Sequence, residues 1–285
     1  MSVSFEVFPP RTPQAEAQWW TAIERLATLD PAFVSVTCGA GGSGVEATVD
    51  ALAAIAAGTS LRLAGHLTCV GRPRAEVDDA MATYWDLGVQ QILALRGDMP
   101  DGAPFAPHPD GYESSVELIS AARRIAPFEV SVAAYPEPHP DSLSPAKDLE
   151  WLARKVDAGA TRAITQFCFD TDTIVRLRDN VERAGIEVNL VPGILPATNF
   201  PSVSRFAAKC GVQIPAWLAA RFDGLEEDRQ TRIALAAIIA AEQVERLGRE
   251  GFSDFHFFTM NNSDVLPAVC RLLELREAEP EASAA

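Results

Sequence analysis

Lysine is scarce in this chain of 285 residues: Lys147, Lys155 and Lys209 are the only three among 24 basic residues. Schiff-base chemistry needs a lysine at the carboxyl end of a strand, and none of the three falls at such a point in the sequence. Cysteine is also sparse, five residues without a C-x-x-C pair, so no disulfide framework is encoded and a reducing compartment fits. The four histidines, His66, His108, His139 and His256, never stand at i, i+4 spacing, which leaves no helical zinc motif. Cys38, Cys69 and Cys168 fall just past expected strands, where small buried thiols are favoured over a thiolate site, and no metal is expected. No stretch reaches the ~18 uninterrupted apolar residues of a membrane span. Met1 to Glu6 has neither a basic segment nor an apolar core of the signal-peptide kind, so a cytoplasmic protein without a membrane partner is expected. Positive charge is short as well. A formal net charge of −15 argues against nucleic acid as a partner and requires any anionic ligand to meet a local basic site.

What is present is a globular composition, 48% hydrophobic and 22% charged, with a repeated grammar of strand, helix and glycine. Strands are expected at 3–8, 33–37, 61–67, 91–95, 129–134, 162–167, 186–191 and 254–259. Between and after them the spacing predicts helices at 13–29, 45–57, 74–87, 114–126, 145–158, 171–184 and 263–275. Gly58, Gly88, Gly159 and Gly185 read as closing residues of these helices. Extra helices are expected at 202–209, 215–222 and 228–247, between strands seven and eight. The economical fold is α/β: a (β/α)8 TIM barrel over 1–275, followed by a short polar tail at 276–285 that should fray. Its working face would be the carboxyl ends of the strands.

Gly39, Gly41 and Gly44 spell G-x-G-x-x-G between a strand and a helix, but no acidic residue occurs from 61 to 74, where a dinucleotide fold would carry one. No nucleophile-elbow sequence supports a serine hydrolase. Arg96-Gly97-Asp98 directly follows the apolar run Ile92 to Leu95, so a ligand-facing turn is favoured over an exposed adhesion motif. The strand ends then collect one coherent set: Glu6, Thr37, His66, Arg96, Asp98, Tyr135, His139 and Gln166. An acid inside an apolar strand, as Glu6 is, costs free energy unless it is paired or working. The set offers acid chemistry and polar contacts for a heterocycle, with Arg154 and Lys155 as candidate phosphate partners.

The motifs Ser4-Phe5-Glu6-Val7-Phe8-Pro9-Pro10-Arg11, His66-Leu67-Thr68-Cys69, Ala94-Leu95-Arg96-Gly97-Asp98, Ala133-Ala134-Tyr135-Pro136-Glu137 and Ala163-Ile164-Thr165-Gln166-Phe167 follow one another in order. With Val191 to Pro196 and Asp254 to Phe257 they make the chain closely resemble methylenetetrahydrofolate reductase in its bacterial, catalytic-domain form. The resemblance implies a flavin barrel in which NADH or NADPH reduces FAD and leaves, after which 5,10-methylenetetrahydrofolate is reduced at the same site. It implies Glu6 as general acid, Asp98 beside the flavin and the pterin, Gln166 bound to folate or nicotinamide, and Phe206 stacked on either. Thr37, His66, Leu95, Arg96, Gly97, Tyr112, Ala133, Tyr135, His139, Asp148, Arg154 and Lys155 would line the FAD. A homo-oligomer is implied too. Cys38, Trp151, Phe258 and Asn262 depart from the family pattern. The alternatives are another flavin barrel, related to proline dehydrogenase, and a non-enzymatic flavin- or folate-binding barrel.

Overall fold

Alternation along the first strand decides what the fold encloses. In β1 (Ser2–Val7) the apolar Val3, Phe5 and Val7 pack outward under the helices, and Ser4 and Glu6 turn the other way. The computed structural model describes residues 1–39, 44–99, 103–142 and 144–274. Gly41, Pro100, the expected helix end at Leu275 and the tail at 276–285 lie outside them.

The remaining strands are β2 (Val34–Val36), β3 (Leu63–Thr68), β4 (Gln91–Leu95), β5 (Glu129–Ala134), β6 (Arg162–Thr165), β7 (Asn189–Val191), β8 (Gly193–Ile194) and β9 (Asp254–Phe258). All pair in parallel, in the order β7-β6-β5-β4-β3-β2-β1-β9-β8. The count of nine against the expected eight has a local cause. β7 and β8 are one strand broken at Pro192, which has no N–H to give to a ladder. One half pairs with β6 through Ile164 and Val191, the other with β9 through Gly193 and His256, so the ring closes across that proline. Two bonds stitch the seam: His256 N donates to Pro192 O at 2.9 Å, and Gly193 N donates to Thr165 Oγ1 at 2.8 Å.

Helices α1 (Pro13–Ala27), α2 (Val45–Gly58), α3 (Arg74–Asp86), α4 (Ser115–Ile125), α5 (Pro145–Asp157) and α6 (Thr171–Arg183) alternate with strands as the spacing predicts. The extra segment folds as α7 (Phe200–Cys210), α8 (Ala216–Phe222) and α9 (Arg229–Arg249), and α10 (Leu266–Leu272) follows β9. Side-chain caps explain many of the starts, among them Thr12, Ser114, Ser144, Asp170, Asn199 and Asp228, each accepting from a first-turn N–H. Gly88, Gly159 and Gly185 take positive φ after their helices, as expected, but Gly58 does not. It is the last helical residue of α2, and a Cβ there would stand 3.1 Å from Trp20 Cη2, so its small size admits the indole instead.

A small apolar cluster of Phe33, Ala64, Leu93, Ile164 and Val191, separate from the main core, fills the barrel interior on the same strand faces that carry the polar residues above. Arg162 closes its floor, reaching Gln91 Oε1 at 3.1 Å and Ser131 Oγ at 3.3 Å with its guanidinium 4.9 Å from the Phe33 ring centre. No helix among the described residues is long and apolar enough to cross a membrane.

Candidate active site

Glu6 lies inside the barrel with only 8% of its surface exposed, between two imidazoles. Its Oε2 is 3.5 Å from His66 Nε2 on β3 and 4.0 Å from His256 Nε2 on β9. Ser4 Oγ holds the His256 ring from behind, 2.8 Å from its Nδ1, while Ser35 Oγ lies 3.2 Å from His66 Nε2, the same nitrogen that faces Glu6. Burial pushes His66 down to about 4, against the pull of the Glu6 carboxylate and with help from His256, so the ring is neutral near pH 7. His256 Nε2 is buried without a hydrogen-bond partner and faces the carboxylate. Ser4, Ser35 and His256 are absent from the strand-end set expected from the sequence. The period-2 alternation of β1, β2 and β9 was the signal that could have placed all three beside Glu6.

The turn after β4 carries Arg96, Gly97 and Asp98. Gly97 has φ +82°, and a Cβ on it would meet Val70 Cγ1 at 2.4 Å, so only glycine fits. Asp98 is held out in the open, its side chain 91% exposed, with Arg96 Nη2 at 3.7 Å. Arg96 makes its closer pair with Asp141 at 2.6 Å and lies over Phe105, so it ties the β4 turn to the loop after β5. Asp141 was not foreseen; the arginine's choice between two acids depends on how the loops fold.

That β5 loop brings together most of the remaining set. Tyr135 and His139 meet edge to face at 4.7 Å between ring centres, and burial raises the Tyr135 phenol, with Asp98 adding to the effect. Asp148 Oδ2 accepts from His139 N at 3.2 Å. Lys155 reaches in from α5 to donate to Ala133 O at 3.0 Å. Its amine therefore sits at the carboxyl end of β5, where its place in the sequence did not put a lysine. Burial lowers it to about 8, with Asp148 opposing and Arg96 reinforcing the shift. Arg154, one residue earlier on the helix, points elsewhere and stacks on the exposed Trp151 at 4.2 Å. Tyr112 is also set apart: burial raises it to about 12, and the bond its hydroxyl donates to Asp78 Oδ1 on α3 at 2.5 Å adds to the shift.

Across the mouth, Phe206 of α7 stacks on Phe167 at 5.3 Å, next to Gln166 at the end of β6. Phe167 also meets Phe258 edge-on, and Phe258 meets His256 in the same way, so an aromatic chain runs from α7 back to the histidine beside Glu6. Burial raises the half-buried Cys210 thiol, and the Asp98 and Glu6 carboxylates add to the shift. Thr37, past the end of β2, is 3% exposed and its Oγ1 has no partner, while Leu95 packs at the edge of the interior cluster. Cys38, Cys69 and Cys168 are buried free thiols, as read from the sequence.

The family model described as methylenetetrahydrofolate reductase matches residues 1–274. The chain belongs to this family. The 5,10-methylenetetrahydrofolate reductase of Escherichia coli K12 is 45% identical over 97% of this chain and 92% of its own length. That of Buchnera aphidicola from Acyrthosiphon pisum is 39% identical over 95% and 91%. The Arabidopsis thaliana methylenetetrahydrofolate reductase (NADH) 1 is 32% identical over 90% of this chain but only 46% of its own. Among solved structures, a Clostridium thermocellum protein described as binding two copies of 5-methyl-5,6,7,8-tetrahydrofolic acid superposes with a TM-score of 0.60, at 12% identity, over 96% of this chain and 94% of that one. A 2,3-dimethylmalate lyase superposes with a TM-score of 0.54, at 13% identity, over 96% and 80%. Likeness at that identity supports the barrel fold alone.

Proposed function

We propose that this reductase-family chain converts 5,10-methylenetetrahydrofolate to 5-methyltetrahydrofolate, with electrons that come from NADH or NADPH by way of FAD, the two substrates using one site in turn. The observation that carries the reading is Glu6, an acid buried among strand residues with an imidazole nitrogen 3.5 Å away, in a chain that belongs to this family. A flavin fits the residues present. The unpartnered hydroxyl of Thr37 suits a polar heterocycle, and Lys155 places a cation at the end of β5 in a chain of net −15.

Bound flavin would supply a carrier that takes hydride from the nicotinamide and yields it to the folate. The chain's own residues do the rest. Glu6 donates a proton to the ring nitrogen of the folate whose bond to the bridging carbon breaks, which leaves an iminium that hydride can reduce. His66, neutral near pH 7, orients Glu6 without adding a second acid. Asp98 would lie by the flavin and bind the pterin, Gln166 would hydrogen-bond folate or nicotinamide, and Phe206 would cover the face of whichever is bound.

Stopped-flow on Glu6→Gln tests the assignment. Flavin reduction by the nicotinamide is expected to stay within about twofold of wild type, and reoxidation by methylenetetrahydrofolate to fall by roughly 10²- to 10⁴-fold. Equal losses in both half-reactions would remove Glu6 from its role, and a colourless protein that cannot take up FAD would sink the flavin reading altogether.

A further inference from the structure

The end of α7 is tied down in a way that the reaction itself does not require. The helix closes at Gly211, with φ +71°, and the next free amide, that of Gln213, donates to both oxygens of Glu137, at 3.2 and 3.1 Å. Glu137 belongs to the loop after β5, two residues from Tyr135 and two from His139. The approach is close on both sides: a Cβ on Gly211 would stand 3.0 Å from Pro140 Cγ of the same loop. Between them the loop and the helix end enclose a narrow cleft lined by Tyr135, Glu137, Gln166, Phe167, Cys210 and Val212. Burial raises the Glu137 carboxyl, and the Gln213 amide opposes that shift.

Phe206 stands one turn before Cys210 on the same helix, and its ring depends on where α7 ends. Phe200, at the helix start, is stacked on Phe222 of α8 at 5.3 Å, so the start of α7 is held through α8 and its end through Glu137. We propose that Glu137 is a positioning residue: by capturing the Gln213 amide it fixes the end of α7 against the β5 loop, and so sets the Phe206 ring over the substrate face. In its kinetic consequence the inference rests on the reductase reading; in its structural consequence it does not.

Both are tested on the FAD-loaded enzyme. In Glu137→Ala, hydrogen exchange at the Gln213 amide is expected to accelerate roughly ten- to hundredfold, the loss of a bond to a charged acceptor. KM for methylenetetrahydrofolate and for the nicotinamide donor should rise by roughly three- to tenfold, from a less well placed aromatic face, while kcat stays within about twofold. FAD content should match wild type, and the thermal midpoint should fall by no more than a few degrees. Glu137→Gln keeps a carbonyl oxygen for the same N–H and should restore both exchange and KM. Unchanged exchange in Glu137→Ala overturns the latch, and faster exchange with unmoved KM values overturns its coupling to Phe206. If wild-type enzyme fails to reduce the folate at all, the reductase reading falls and the exchange measurement alone decides the latch.

Discussion

Holding an imidazole inside the barrel costs His66 most of its basicity. An unfolded histidine titrates near 6.5 and the folded one at about 4. Between those values the unfolded chain binds more protons, so this group's contribution favours the folded state fully above pH 6.5 and is lost as pH falls toward 4, by ~3 kcal/mol in all. Denaturant melts of wild type and His66→Gln across that range check it. The variant should show a shallower fall, by up to about 1.4 kcal/mol per pH unit. Gly97 is the other residue on which the site turns. Gly97→Ala combines a positive φ with a methyl 2.4 Å from Val70 Cγ1, and should lose roughly 1–3 kcal/mol of stability along with the placement of Asp98. Chemical denaturation reads the first effect, and an unchanged midpoint would show that the turn relaxes freely.

Among the elements, the split seventh strand is the most exacting. Its ladder lapses at Pro192, and the Thr165 hydroxyl takes the N–H of Gly193 where β7 hands over to β8. Thr165→Val leaves that amide buried and unpaired, and a loss of about 1–3 kcal/mol is expected in equilibrium unfolding. The glycine has no slack either: a Cβ would stand 2.2 Å from Thr165 O and 2.5 Å from Phe258 Cε2. Because Phe258 belongs to the aromatic chain that reaches His256 and Phe206 through Phe167, strain at the seam is expected to reach the active face as well.

At the scale of the whole molecule, net charge works against the substrates. Folates and nicotinamide dinucleotides, the substrates proposed above, are anionic, and a chain of −15 repels them until they reach the cation at Lys155. Screening weakens the long-range part first, since the Debye length shrinks from ~30 Å at 0.01 M salt to ~8 Å at 0.15 M. In the proposed reaction, the second-order rate of flavin reduction by the nicotinamide is therefore expected to rise over that interval. A fall would mean that the local cation, not the net charge, governs approach.

The order of elements is written locally, because the periods of 2 and 3.6 residues, the capping residues and the turn glycines are signals that need no partner. β4 and β5 fall at their expected ends, and the three helices of the long insertion are found where the spacing put them. Glu6 was legible as well, since an acid among Phe5, Val7 and Phe8 conflicts with its neighbours wherever the chain goes. Tertiary structure decided what no local signal carries. It closed the ring across Pro192, gave Gly58 to Trp20 instead of to a turn, and set His256 and two serines around Glu6. It also brought Lys155 to a strand end, turned Arg154 away, and gave Arg96 to Asp141. Lys155 and Ala133, Arg96 and Asp141, and Glu6 with its two histidines are distant in the chain, and such partners are chosen only when the ring of strands closes.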